Sequence, residues 1–419
     1  MKDVNVKKVV DSEHSLSAVD QASRQGFFSV LVVMVGFTFF SPSMSAGGNL
    51  GIGLNMATFF IAMALGNAFL GIYTGILAYI GQSTGLTLDL LARYSFGEKG
   101  SYLSSALISF TQIGWFGVGV AMFALPVANI FNLNPIMLIT ITGIVMTATA
   151  YFGIKALAIL GSIAVPLIAI LGIYSVNFGI NEVNGFANVF SETPSAPITM
   201  AVALSIVIGS FISGGTATPN FTRFSKTPKI AVWATVIAFF LGNSIMFVFG
   251  AVGGAVTGNP DIFDILITQG LMVPAILVLG LNFWTTNNNA LYTAGLGLAN
   301  ILKIQMKPMV LVGGAIGTVA ALWLYNNFVA YLSILGGMIP PVGVVIIIHY
   351  FMNKKAYNNE NYKMKAVNFG AVLAVVVGAL AGIFLKWGVP PVNSLVLSAI
   401  VYTIYELATR KEGGNYNVN

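Results

Sequence analysis

The run best equipped for chemistry in this chain is Leu281-Asn282-Phe283-Trp284-Thr285-Thr286-Asn287-Asn288-Asn289, which sets amides and hydroxyls inside an otherwise apolar stretch. Asn282, Thr285 and Thr286 stand at i, i+3 and i+4, so on a helix they share one face. One amide carbonyl and two hydroxyl oxygens, with main-chain carbonyls freed by an unwound neighbour, can ligate a small hard cation without a carboxylate. Asn287 lies about 140° round from Asn282 at about 100° per residue, which turns it toward a neighbouring organic site. Single Asn and Thr residues in membrane helices serve interhelical hydrogen bonds worth on the order of 1 kcal/mol each. A polar run this long exceeds what packing needs. Gln112 and Trp115, with Phe116 and Gly119 continuing their stripe, add an amide beside a stacking face, and Phe211 and Ser213 add a second ring and a hydroxyl. Two aromatic faces and several neutral amides suit a flat, polar, uncharged ring. Stacking contributes about 1–3 kcal/mol per contact, and Gln and Asn satisfy an edge that carries both donors and acceptors.

These residues need a scaffold, and the sequence specifies a membrane one. Charged residues make up 8% of the 419 positions, far below the roughly one quarter of a soluble domain. Apolar stretches predict twelve spans at roughly 26–51, 56–82, 101–130, 135–153, 156–180, 197–218, 230–257, 267–301, 308–326, 328–350, 367–386 and 390–408. Of the 19 Lys and Arg residues, all but Lys386 fall in the tails or in even-numbered gaps between spans. Cytoplasmic loops retain basic residues, so this alternation places both ends inside. The net charge of +6 is thereby topogenic and implies no nucleic acid. Residues 1–25 read as a cytoplasmic tail without signal-peptide character, 26–408 as one transporter domain in the cell inner (plasma) membrane, and 409–419 as a second tail.

Two spans look broken. The first runs Gly36-Phe37-Thr38-Phe39-Phe40-Ser41-Pro42-Ser43-Met44-Ser45-Ala46-Gly47-Gly48, and the sixth Gly209-Ser210-Phe211-Ile212-Ser213-Gly214-Gly215-Thr216-Ala217-Thr218-Pro219. Unwound backbone at membrane depth survives only where it lines a cavity or is buried in protein. Breaks five spans apart predict a five-plus-five inverted repeat, about 26–180 and 197–350, around a midplane site. The last two spans, about 367–408, are additions. The fold class expected is an all-α polytopic membrane protein.

Absences narrow the function. There are no cysteines, which removes thiolate chemistry and disulfides. Acidic residues fall in tails, in loops or near helix ends: Asp89 and Glu98 after the second span, Glu182 and Glu192 after the fifth, Asp261 and Asp264 before the eighth, Glu406 late in the twelfth. His14 and His349 are equally peripheral. Without a titratable group at mid-depth, a neutral substrate and a cation held by neutral oxygens are favoured over a proton relay. A channel remains an alternative from another class. An intramembrane enzyme would need a carboxylate pair, metal cluster or nucleophile–base set, which the chain lacks.

On Gly36–Gly48, Leu86–Gly97, Gln112–Leu125, Gly209–Gly215, Leu281–Leu291 and Ala321–Phe328, the chain resembles the bacterial cytosine permeases of the nucleobase–cation symporter family over about residues 25–405. The resemblance implies a broken-helix, inverted-repeat carrier that imports cytosine with sodium by alternating access, with no organic cofactor and no obligate protein partner. It implies a base held between Trp115 and Phe211, with its edge bonded by Gln112, Ser213 and Asn287. Asn288 or Asn289 takes the last role if the helix register differs. Carbonyls of Gly36 and Phe39 with Asn282, Thr285 and Thr286 are implied for sodium. Another nucleobase or a hydantoin-like ring, with proton coupling or none, is the alternative.

Overall fold

A computed structural model describes residues 13–191, 194, 197–327, 331, 335, 337–359, 362–385 and 387–412. The expectations placed on Lys2, Lys7, Lys8, Glu192, Phe328 and Lys386 lie outside the described residues. The chain is all-helical, and among the described residues the only strand-like pairing is a bridge between Gln25 and Ser225.

The first half contains α1 (Phe27–Thr38), α2 (Ser41–Gly53), α3 (Met56–Thr84), α4 (Leu88–Phe96), α5 (Ser101–Phe131), α6 (Pro135–Ala150) and α7 (Ile154–Glu182). The second contains α8 (Met200–Thr216), α9 (Pro219–Thr222), α10 (Pro228–Ile237), α11 (Asn243–Thr257), α12 (Ile262–Thr268), α13 (Met272–Pro274), α14 (Gly280–Leu302), α15 (Met306–Asn326) and α16 (Pro340–Met352). Then come α17 (Phe369–Phe384) and α18 (Pro390–Glu412). Wider π turns at Ala238–Gly242 and Ala275–Leu279 join α10 to α11 and lead into α14. A helix overlies each of the twelve stretches read from the sequence. Among the described residues, six helices are long and apolar enough to cross a membrane alone, and α1 with α2 makes a seventh.

The first span breaks where expected. Phe39 and Phe40 leave helical geometry, with ψ of 83° and 115°, and Pro42 sits in the first turn of α2, where its missing N–H costs nothing. The two pieces meet at a 52° bend. The sixth span breaks only at the end of the run named for it. Helix α8 persists through Gly209–Gly215 to Thr216, and the interruption falls at 217–218, just before Pro219 starts the single turn of α9. Its glycines serve close packing: a Cβ on Gly214 would stand 2.8 Å from the Phe37 ring, and one on Gly215 equally close to Thr74.

Two helix groups emerge. In one, α1, α2, α3, α8, α10 and α11 pack together; in the other, α5, α6, α14 and α15 do, with α7 touching both. In the first group α2 and α11 meet backbone to backbone. A Cβ on Gly47 or Gly51 would lie 2.2 Å from the carbonyl oxygen of Phe247 or Ala251, so only glycine permits this approach. Basic residues from several even-numbered gaps meet at one end of the molecule. There Arg24 donates to the carbonyls of Gln82 and Ser225, Arg93 to Asn300, and Lys354 to the Tyr79 hydroxyl. The described part of the stretch read as a cytoplasmic tail is folded into this basic end. Glu13, Ser15 and Val19 are buried, Val19 N–H donates to Gly85 O, and Gln25 N–H to Phe224 O.

Candidate substrate and ion site

The break between α1 and α2 leaves Phe39 and Ser41 with main-chain groups that no helix satisfies. Asn282 of α14 supplies the missing partner. Its Oδ1 accepts from Ser41 N at 2.8 Å and from the Ser41 hydroxyl, while its Nδ2 donates to the Phe39 carbonyl. The amide is fully buried and bridges the break as a peptide group would. The side chain of Asn282 is thus engaged with the first span.

The other expected cation groups gather beside it. Gly36 faces α14, its missing Cβ lying 3.4 Å from Thr285 Cγ2. Thr285 Oγ1 donates to Leu281 O at 2.9 Å, and Thr286 Oγ1 to Asn282 O at 3.0 Å. A threonine hydroxyl that gives its proton to its own helix turns its lone pairs outward, so both oxygens remain acceptors. The donor set, with hard neutral oxygens and no soft ligand, fits a small alkali cation. Among the described residues no cluster of His, Cys, Asp or Glu competes for a transition metal.

A narrow cavity of about 20 Å³ adjoins this corner. Gln112, Trp115, Phe211, Thr286 and Asn287 line it, with Phe37 and Phe40. Phe40, in the break, stands edge-on to Trp115 and to Phe211 at centroid distances of 5.2 and 5.6 Å, and so forms the end wall between them. Tyr331 packs on the far edge of Trp115 at 5.9 Å. Gln112 Nε2 donates to Ser213 Oγ at 3.0 Å, which fixes the amide's orientation across α5 and α8.

The three adjacent asparagines part company. Asn287 reaches the cavity through space that Gly119 leaves open, since a Cβ there would lie 2.3 Å from Asn287 Oδ1. Its Nδ2 also donates to Phe116 O at 3.3 Å. Asn288 points to α6, its amide 3.0 Å from Thr149 Oγ1, to which Trp284 Nε1 donates as well. Asn289 is buried away from the cavity, with its Oδ1 unpaired. Successive helix residues turn by about 100°, so the three cannot share one face.

Sequence reasoning did not single out Phe40, or Thr286 as a cavity residue; the first lay inside a recognised break and could have been found there. A larger hollow of about 630 Å³ lies between α6 and α15, walled by exposed Ile144, Leu311 and Val319. It opens sideways and carries no converging polar groups, so it has the character of a lipid-facing groove.

Residues 19–404 match the family of permeases for cytosine/purines, uracil, thiamine and allantoin. The chain belongs to this family. It is a multi-pass membrane transporter, not an enzyme. It is 52% identical to the cytosine permease of Escherichia coli (strain K12) over 395 residues, 94% of each chain. Its fold is similar to that of a nucleobase-cation-symport-1 family transporter in a closed, bromovinylhydantoin-bound conformation, with a TM-score of 0.82 at 20% identity over 96% of each chain. A sodium-coupled sialic acid symporter in a substrate-bound outward-open state gives 0.72 at 14% identity, over 92% of this chain and 90% of the symporter.

Proposed function

We propose that this permease imports cytosine across the cell inner membrane by sodium symport through alternating access, with both termini cytoplasmic. The 52% identity to a cytosine permease along almost the whole chain carries the substrate reading. The cavity supports it, because two rings and two or three neutral polar groups suit a flat uncharged base. Trp115 and Phe211 flank the base, Gln112 and Asn287 bond its edge, and Ser213 holds the Gln112 amide in place. Asn288 and Asn289 take no part in this reading. Carbonyls of Gly36 and Phe39 with the hydroxyls of Thr285 and Thr286 hold sodium, and Asn282 fixes the Phe39 carbonyl beside them. The break in the first span joins the two sites: Phe39 serves the ion and Phe40 walls the cavity. Two helix groups with α7 between them supply bodies that can rock about the site.

Uptake of radiolabelled cytosine into proteoliposomes tests this reading. Accumulation driven by an inward sodium gradient, lost when choline replaces sodium, is expected. Uptake indifferent to sodium but driven by a pH gradient would replace sodium with the proton. Flux without accumulation would make the chain a channel.

A further inference from the structure

The basic end holds a buried acid for which the transport reading has no use. Asp89 lies in the first turn of α4, only 1% exposed, and neither carboxylate oxygen has a hydrogen bond of ordinary geometry. Helix α4 sits where the two helix groups meet. Its first N–H, from Leu88, donates to Asn220 of α9 at 2.8 Å, while its body packs on α5 and α14. Beside Asp89, α14 presents the bare Cα of Gly297. A Cβ there would stand 3.2 Å from Asp89 Oδ1, 3.1 Å from the Ser105 carbonyl and 2.1 Å from Ser109 Oγ. Glycine therefore lets the carboxylate and α5 close onto α14.

The charges that could neutralise Asp89 are committed elsewhere. Arg93, one turn further along α4, gives its Nε to Asn300 of α14, and Lys303 reaches the same amide oxygen at 3.5 Å. Arg223 spends its guanidinium on the carbonyls of Glu13, His14 and Asn220 and on the Tyr292 hydroxyl. Glu98 and Tyr102 lie near Arg93, and Glu13 near Arg223. From α16 come His349, bonded to the Tyr357 hydroxyl at 2.7 Å, and Tyr350; α17 presents no titratable side chain. Among the described residues no basic group stands within ion-pair distance of Asp89.

We propose that Asp89 is a proton-binding site that fills in acid while the basic end is shut and releases its proton as that end opens to water. Burial pushes its carboxyl up to about 6, against the opposing pull of the Ser105 hydroxyl, Arg93 and Arg223. A hydrated carboxyl of this type titrates near 3.9. The shut state therefore binds the proton more tightly, so acid favours the shut state and the preference fades as pH rises through about 6. Going from about pH 7 to about pH 5 multiplies the shut population relative to the open one by about tenfold, given the value of about 6 when shut. The consequence for transport rests on the importer reading above; the proton site itself does not.

Infrared difference spectra of the full chain in liposomes, recorded as pH is stepped through this range, test the site without any substrate. Among the protonated-carboxyl bands of the parent, one with a midpoint near 6 is expected that Asp89→Asn lacks. Ser105→Ala removes a hydroxyl that favours the charged form, so it should move the midpoint upward; this arm stands if Asp89→Asn fails to fold. Identical spectra for parent and Asp89→Asn, or a midpoint unmoved by Ser105→Ala, would overturn the proposal. With pH equal on both faces and a fixed sodium gradient, cytosine uptake by the parent should slow in acid while that of Asp89→Asn stays level. A pH profile shared by parent and variant would refute the coupling to opening, and absent uptake with a titrating band would refute the importer reading alone.

Discussion

Midway along the helices, Gln112, Asn287, Ser213, Thr286 and a ring of aromatic side chains meet with no charged residue among them; at the basic end Glu13, Asp89 and Arg223 are all buried. Both regions are polar interiors, yet they solve desolvation differently. In the cavity each amide is already held by protein partners through its nitrogen and offers its remaining valence to a neutral ring, so little is lost when a ligand arrives. At the basic end, full charges are removed from water and met mostly by main-chain carbonyls and hydroxyls rather than by counter-ions. Burying charge is tolerable only while every partner stays in place. The neutral region is therefore built to bind, and the charged one to hold two bodies together until water enters.

The comparison breaks most visibly at Arg223. Arg223→Ala would leave the Glu13 and His14 carbonyls and the Tyr292 hydroxyl without their donor. Each orphaned group costs about 1–3 kcal/mol, so a large fall in thermal midpoint is expected. Arg223→Lys should recover little, because a point charge cannot span the guanidinium's fork. A parental midpoint for Arg223→Ala would show that the charged layer contributes nothing to closure.

In the neutral region the losses should appear in affinity. Trp115→Ala removes one stacking face and should weaken cytosine binding by about 1–3 kcal/mol, up to roughly 150-fold. Trp115→Phe should retain most of that affinity, and equal affinities for the two variants would argue against stacking. Asn287→Ala strands part of the base's edge and should cost about five- to 150-fold. Asn288→Ala should instead lower thermal stability through the lost Thr149 contact and leave affinity alone. Exchanged phenotypes would place the substrate on the α6 side of α14.

A smaller effect links the cavity to its ion. Thr286 lines the cavity and belongs to the proposed sodium set, so Thr286→Ala should reduce the enhancement of cytosine affinity by sodium more than it reduces affinity at saturating sodium. Linkage requires sodium affinity to rise with cytosine by the same factor. Calorimetric titration of each ligand with and without the other measures both, and unequal factors would mean that the two are not coupled at equilibrium.

Much of this was legible in the sequence because the membrane enforces it. Apolar length marks helices, charge alternation gathers the basic loops, and Pro42 among small residues marks the first break. In the sixth span the sequence could not say where in the run the break falls, because glycine signals both unwinding and close packing. Gly214 and Gly215 serve packing against Phe37 and Thr74, and only the tertiary neighbours decide which use applies. Asn287, Asn288 and Asn289 could not be told apart from composition, since their roles follow from a helix phase set by distant contacts. The seated tail was unreadable for a related reason: Glu13 is buried only because Arg223, Ile154 and Tyr292, all far along the chain, converge on it.

That tail gives the gentlest test of the charged layer. Glu13 Oε2 accepts from Ile154 N at 3.3 Å where α7 begins, and Gly153 leaves the space, since a Cβ there would lie 2.2 Å from Glu13 Oε1. Burial raises the carboxyl above its ordinary range, outweighing the Ile154 N–H, Arg223, Tyr292 and Lys307, which all favour the charge. The seated tail thus holds a proton better than the released one. Its seating is strongest in acid and weakens as pH rises through the raised value. Glu13→Gln keeps an acceptor for Ile154 and removes the buried charge, so it should seat the tail more firmly at neutral pH. The gain is limited because a carboxylate at a helix N-terminus is itself favourable by about 0.3–1 kcal/mol, which the amide gives up. Hydrogen exchange at Val19 and Gln25, whose N–H groups bond Gly85 and Phe224, reports the seating directly. Corrected for intrinsic rates, opening in the parent should become more frequent as pH rises from the ordinary carboxylate range through the raised value, while Glu13→Gln should open less often with no such trend. Equal opening in the parent across that rise would show that the Glu13 charge is of no consequence to the seating of the tail.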